Sequence, residues 1–203
     1  MYPILLSRLK HETAASHTRL ENAFDLMRDD LQRNEYIALL KRFLGYVAPW
    51  ENVVGASMPA SLAAFFDARR KAPMLAADIA LLAGHCAAID VTPPDDLPAL
   101  PNIGTAFGSM YVMEGSTLGG RFIAPHVARL LDLAPSEDNR HFDGYGAHTG
   151  SMWNAFRETV ARHGARSAQY DDAVRAAVAT FESLEAWLCR EPLDAEAATG
   201  AGA

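Results

Sequence analysis

The sequence predicts an all-α, single-domain protein built as a multi-helix bundle. The chain has 203 residues and half of them are hydrophobic, so it can bury a substantial core as one domain without disulfides or metals. Apolar residues recur every three or four positions in nearly every long segment, and no segment keeps the alternation typical of a strand. Proline, glycine and capping residues cluster between these segments and mark where helices end.

The predicted helices, in chain order, span residues 5–31, 35–57, 60–70, 74–90, 102–133, 143–162 and 165–190. We expect a kink in the fifth helix at Pro125, because proline removes an intrahelical hydrogen bond and clashes with the preceding turn. Residues 1–190 should form the helical domain. The small, polar stretch 191–203 is predicted to be a frayed, disordered tail.

Composition and charge exclude several classes of function. The formal net charge of −7 provides no excess of cations to neutralise phosphates, so we expect no nucleic-acid partner. Cys86 and Cys189 are far apart and lie in no paired motif, which argues against disulfides and thiolate metal sites. Arg8 and Lys10 interrupt the first apolar run, and no 18-residue apolar stretch follows, so we expect a soluble, cytoplasmic protein with no membrane partner.

His17 is the first candidate functional residue. It shares a helix face with Leu9 and Thr13, so its imidazole should point inward. A lone inward histidine is more often a core residue than a ligand. Glu21, one turn later, can accept the second imidazole N–H, as a metal-ligating histidine usually requires. Lys10 offers a cation suited to a carboxylate, although a solvated lysine gives the same pattern.

A glycine-rich helix is the second candidate feature. Glycine within a helix costs roughly 0.5–1 kcal/mol relative to alanine, so a cluster of glycines needs a compensating role. Contact with a large flat ligand would supply one, and close packing of two helix backbones would explain the pattern equally well. The glycines are Gly104, Gly108, Gly115, Gly119 and Gly120.

Both features resemble the haem oxygenase family, especially the bacterial enzymes that make biliverdin for phytochromes or for iron acquisition. Leu9-Lys10 followed by Thr13, His17, Glu21 and Asn22 is similar to the family's proximal helix, and Gly115-Ser-Thr-Leu-Gly119-Gly120 is similar to its distal helix. Weaker similarity extends through 145–160 and 176–188. The resemblance implies a haem oxygenase-like bundle in which haem lies between the proximal helix and a kinked distal helix.

The resemblance also assigns roles to individual residues. It makes His17 the axial ligand of the haem iron and places Lys10, Thr13 and Glu21 around the haem. Four residues of the glycine-rich helix, Gly115, Ser116, Gly119 and Gly120, would face the reacting side. Mammalian-type members carry an aspartate where this chain has Ser116, so proton delivery must be organised differently here. The remaining assignments are Tyr111 and Arg157 as propionate contacts and Phe181 as a wall of the haem pocket.

The activity implied by the resemblance is oxidative cleavage of haem. Haem would be both cofactor and substrate, and with O2 it would give biliverdin, carbon monoxide and ferrous iron. Electrons would come from an external ferredoxin or reductase, because the chain has no glycine-rich nucleotide fingerprint. The resemblance also suggests a bacteriophytochrome as a recipient of biliverdin.

Three other functions use a helical scaffold of this kind. A non-catalytic haem storage or transfer protein would share His17 and the pocket. A thiaminase-like enzyme would need a nucleophile, and no supporting motif surrounds either cysteine. A ferritin-like di-iron protein would need Glu-x-x-His pairs, and no glutamate here has a histidine three positions later. The histidines other than His17, His141 among them, are expected to be solvent-facing or structural.

Overall fold

Helices form the secondary structure of this protein in a computed structural model that describes residues 4–83, 94–133, 139–163 and 169–190. No strand occurs among these residues, which confirms the predicted all-α fold. No helix in these ranges is long and apolar enough to cross a membrane. The helices are α1 (Ile4–Glu12), α2 (Ala14–Ala23), α3 (Arg33–Ser57), α4 (Ala63–Asp67), α5 (Ala72–Ala83), α6 (Ile103–Leu131), α7 (Arg140–Asp143), α8 (Thr149–His163) and α9 (Tyr170–Leu188).

The predicted first helix over 5–31 is wrong in its extent, because the chain forms α1 and α2 and then leaves the helix. Thr13 separates the two helices, and its hydroxyl donates to the carbonyl of Leu9 at 2.7 Å. After Ala23 the chain turns, and the Asp25 carboxylate accepts a hydrogen bond from the Met27 amide at 3.1 Å. Such an aspartate turn offers the backbone an alternative to helical bonding.

Most other helices lie close to their predicted ranges. The predicted helix over 60–70 consists of a 3₁₀ turn, Ala60–Leu62, followed by α4, and the one over 143–162 begins as α7 and a second turn before α8. Residues 84–90 of the predicted fourth helix and the predicted tail over 191–203 lie outside the described residues. Helix α6 continues through Pro125, and the kink expected there stays a prediction.

Helix α9 is the element around which the bundle is organised. Its face is buried from Ala173 to Leu188, and α1, α2, α3 and α6 all pack against it. Helix α6 packs against α9 backbone to backbone, because a Cβ on Gly108 would lie only 1.9 Å from the carbonyl oxygen of Ala173. Only a residue without a side chain permits this contact between two helix backbones.

A chain of buried hydrogen bonds connects the three long helices. The Trp50 indole on α3 donates to the hydroxyl of Ser109 on α6 at 2.8 Å, and this hydroxyl lies 2.7 Å from that of Thr180 on α9. The Thr180 hydroxyl also donates to the carbonyl of Ala176 at 2.7 Å. Buried polar groups are nearly always hydrogen-bonded. These hydrogen bonds therefore favour one relative register of the three helices.

Replacing Gly108 with alanine should destabilise the fold, because the added methyl group meets the α9 backbone. Overpacking of this kind costs about 1–3 kcal/mol, which lowers the Tm by several degrees in a chain of this size. Gly150→Ala is the matched control, because a Cβ at that helical position meets nothing within 4 Å. Thermal unfolding followed by circular dichroism should rank Gly108→Ala well below the wild type and the control. Equal melting temperatures for the two variants would contradict the close contact.

Candidate functional site

A cavity of about 420 Å³ lies between α2 and α6, with α9 at its base. This volume lies within the range of about 300–1,000 Å³ common for small-molecule sites. Most of its lining is apolar, and the lining comes from six separate parts of the chain. The apolar lining residues are Leu20, Phe24, Leu26, Met27, Phe43, Val112, Met113, Phe122, Ile123, Phe142, Phe181 and Leu184.

His17 projects into this cavity from α2. Its side chain is 50% exposed because it faces the opening instead of packing in the core. The Nδ1 atom lies 3.5 Å from Oε2 of Glu21, and the ring meets Phe181 edge to face with centroids 5.8 Å apart. Glu21 and Phe181 therefore flank the imidazole, and Nδ1 is the ring nitrogen beside the carboxylate. A carboxylate beside one ring nitrogen is common where the other nitrogen of a histidine binds a metal.

The glycines of α6 divide between the two interpretations that the sequence left open. Gly108 and Gly120 are packing residues, since a Cβ on Gly120 would lie 2.1 Å from the carbonyl oxygen of Phe142 on α7. A Cβ on Gly119 or on Gly115 would meet nothing within 4 Å, and Gly119 lines the cavity. Gly119 thus keeps a patch of the cavity wall free of side chains.

Ser116 also lines the cavity, but its hydroxyl group is committed to its own helix. It donates to the carbonyl of Met113 at 2.8 Å. The next residue, Thr117, does the same with the carbonyl of Glu114 at 2.7 Å. Both hydroxyl protons are therefore turned away from a ligand in the cavity.

A buried ionic cluster lies directly behind this wall. The ammonium group of Lys71 donates to Oε1 of Glu114 at 2.7 Å and to the Tyr145 hydroxyl at 3.1 Å. Tyr145 donates to the same carboxylate oxygen at 2.7 Å, and Nε of Arg69 lies 3.4 Å from Oε2 of Glu114. Burial, together with the charge of Glu114, raises the pKa of Tyr145 well above its ordinary value. Lys71 is also part of the cavity lining.

His141 lines the cavity from α7, although the sequence analysis placed it among solvent-facing or structural histidines. Its ring packs against Phe43 and Phe142, at centroid distances of 5.4 Å and 4.9 Å. Burial, with a smaller contribution from the Lys71 cation, lowers the pKa of His141 to about 3. Its imidazole is therefore neutral at neutral pH. Nothing in the local sequence signals this position, because α7 reaches the cavity through its packing on α5 and α6, which are distant in the chain.

Several residues assigned by resemblance lie away from the cavity lining. Lys10 is exposed at the end of α1, and Thr13 is buried with its hydroxyl bonded to Leu9. Tyr111 packs against Trp153, with ring centroids 5.8 Å apart. Arg157 on α8 donates to the side-chain oxygen of Asn154 at 3.3 Å. Their contacts with haem stay predictions, as do the roles of Gly115 and Gly120.

Comparison with known proteins identifies the family and the fold. The sequence model of the haem oxygenase family matches residues 4–190. Among solved structures, haem oxygenase from Leptospira interrogans is similar with a TM-score of 0.70 and 16% identity, over 93% of this chain and 98% of that chain. This likeness concerns the fold. A search of curated proteins finds no match.

The low pKa of His141 predicts a pH-dependent stability. An unfolded chain protonates His141 below about pH 6.5, the ordinary histidine pKa, whereas the folded chain protonates it only near pH 3. Between these two pH values the unfolded chain therefore binds one more proton. The contribution to stability is thus complete above about pH 6.5 and is lost as the pH falls, by at most about 1.4 kcal/mol per pH unit.

Urea unfolding at about pH 7 and about pH 5 measures this effect. The wild type should lose about 2 kcal/mol more than His141→Phe between the two values, since carboxylates titrate alike in both proteins. A stability difference between the two proteins that does not change with pH would contradict a buried, neutral His141.

Proposed function

The chain belongs to the haem oxygenase family, and from this we propose that it cleaves haem oxidatively to biliverdin with release of carbon monoxide and ferrous iron. Membership in this family implies that the chain binds haem and that it is an oxidoreductase. The observation that carries the proposal is the placement of His17 and Gly119 in one apolar cavity. His17 would offer a nitrogen to the haem iron, and Gly119 would leave room for a small ligand on the α6 side.

The residues of the cavity fit a flat, apolar, iron-bearing ligand. His17 would hold the iron through Nε2, since Nδ1 lies beside Glu21. Phe181 and the other aromatic and aliphatic lining residues would cover the ring faces. When bound, haem would supply both the iron at which O2 is activated and the carbon skeleton that is opened. The proposal does not depend on Lys10, Tyr111 or Arg157, which lie outside the lining.

The protein's own contribution is orientation and exclusion. Glu21 and Phe181 restrict the rotation of the His17 ring, so the iron would keep a fixed position between α2 and α6. Gly119 leaves space on the α6 side for a small molecule beside the iron. With haem bound, the apolar lining would help to exclude bulk water from the reacting edge, which would limit side reactions of a reactive oxidant.

The proposed partners are a cosubstrate, an electron donor and a recipient of the product. We propose O2 as cosubstrate and an external ferredoxin or reductase as electron donor, because no nucleotide-binding fingerprint occurs in the chain. A bacteriophytochrome is the proposed recipient of biliverdin. This last partner rests on the sequence resemblance alone.

Replacing His17 with alanine tests both the iron ligand and the activity. The purified chain should bind haem with the absorption spectrum of an axial histidine and, given a reductase system and O2, should convert it to biliverdin. His17→Ala should lose that spectrum and the turnover, and added imidazole should restore the spectrum. His11→Ala, an exposed histidine on the neighbouring helix, is the control and should match the wild type.

Two results would count against the proposal. A His17→Ala variant that keeps both spectrum and turnover would remove His17 as the ligand. A wild-type protein that binds haem but leaves it intact under reducing, aerobic conditions would be a haem storage or transfer protein.

Gly119→Leu should crowd the α6 side of the cavity while leaving the iron ligand in place. We expect haem to bind with the axial-histidine spectrum, with turnover reduced by tenfold or more or with a changed biliverdin isomer, since misplacement near a reacting centre is costly. Chromatography of the product measures both effects. An unchanged rate and isomer would assign Gly119 to helix packing only.

A further inference from the structure

We propose that His141 is the hydrogen-bonding residue that holds the small ligand on the α6 side of bound haem, opposite His17. This inference rests on the proposed function, because it requires haem in the cavity. The Ser116 hydroxyl donates to its own helix, so another side chain must donate a hydrogen bond to a ligand on this side. Four structural observations lead to it.

First, α7 is held against the cavity by several independent contacts. The buried Asp78 carboxylate accepts hydrogen bonds from the backbone amides of Arg140 and His141, at 2.9 Å and 2.8 Å. Asn139 accepts a hydrogen bond from the Tyr36 hydroxyl at 2.7 Å and donates to the carbonyl of Ala124 at 3.1 Å. These contacts fix the start of a four-residue helix, where His141 lies, and so give its side chain a defined position.

Second, the absence of a side chain at Gly120 brings α7 onto α6. The carbonyl oxygen of Phe142 lies only 2.1 Å from the position that a Cβ on residue 120 would take. The neighbouring glycine, Gly119, lines the cavity together with His141. Both residues therefore belong to the same side of the cavity, whereas His17 approaches from α2.

Third, the ring of His141 is oriented by its surroundings. Phe43 and Phe142 flank it, and its Nδ1 is enclosed by protein without a hydrogen-bond partner among the described residues. Only Nε2 can therefore reach a molecule in the cavity. A neutral imidazole has one donor and one acceptor nitrogen, and the tautomer that carries its proton on Nε2 presents a donor to the cavity.

Fourth, the other polar groups on this side are already committed. Ser116 and Thr117 donate to carbonyl groups of their own helix. The Lys71 ammonium group contacts three oxygen atoms, on Glu114, on Tyr145 and on the carbonyl of Arg69. A solvated lysine would donate freely, but this one is buried in an ion pair. His141 is the polar side chain of this side whose donor has no protein acceptor in the described residues.

The test uses the purified full chain loaded with ferric haem, with azide as the probe ligand. His141→Phe keeps the aromatic packing and removes the donor. A hydrogen bond to a charged group contributes roughly 1.5–3 kcal/mol, so azide affinity should fall by at least about tenfold. The CO-stretching frequency of the ferrous haem complex should shift as well, because the donor polarises the bound ligand. His141→Gln, which restores a donor, should recover part of both effects.

Two control variants make the result specific. His148→Phe removes an exposed histidine next to α8 that does not line the cavity, and it should match the wild type in both readouts. Ser116→Ala tests the competing residue, and because the Ser116 hydroxyl donates to the carbonyl of Met113, it should change both readouts less than His141→Phe does. Circular dichroism and haem titration confirm that each variant is folded and binds haem.

The failures of the two proposals are distinguishable. If the wild type does not bind haem through His17, the proposed function fails before His141 is tested. If haem binds normally and azide affinity and CO frequency are unchanged in His141→Phe, only the role of His141 is overturned. A Ser116→Ala variant that shows the larger effect overturns it too. So does a wild-type spectrum in which two histidines ligate the iron, because His141 would then be a ligand itself.

Discussion

The structure depends on how closely α6 can approach its neighbours. At Gly108 its backbone touches α9, and at Gly120 it touches α7. Any side chain at either position would force the neighbouring backbone to shift, because the interior is closely packed. Between these two contacts, Gly119 presents bare backbone to the cavity. Helix α6 thus positions α9 at the base of the cavity and α7 at its side, and it leaves the space beside Gly119 open.

The ionic cluster behind α6 is costly to build and constrains the same helix further. Taking Lys71 and Glu114 out of water incurs a large desolvation penalty, which the pair and its hydrogen bonds offset. The backbone amides of Lys71 and Ala72 both donate to the carboxylate of Glu51 on α3. The cluster therefore connects the start of α5 to α3, α6 and Tyr145. Such a cluster specifies one arrangement of helices more than it stabilises them.

Sequence periodicity predicted the all-α fold and most helix ranges, because each long helix buries one apolar stripe. It failed at 24–31, where the Asp25 turn ends the helix although apolar residues continue at helical spacing. His17, Glu21 and Gly119 were found because they lie in two local motifs, and the structure brings them to one cavity. His141 and Lys71 could not be found in this way. Their positions depend on contacts with Asp78 and Glu114, residues far away in the chain.

The position of α9 in the chain affects when the cavity can form. Helices α2 and α6 border the cavity, and both are supported by α9, the last helix that the structure describes. During synthesis His17 leaves the ribosome early, but the surface that supports its helix is made more than 150 residues later. A nascent chain that ends before Tyr170 presents the histidine without the base of the pocket. The proposed capture of haem in this pocket would therefore follow the synthesis of α9.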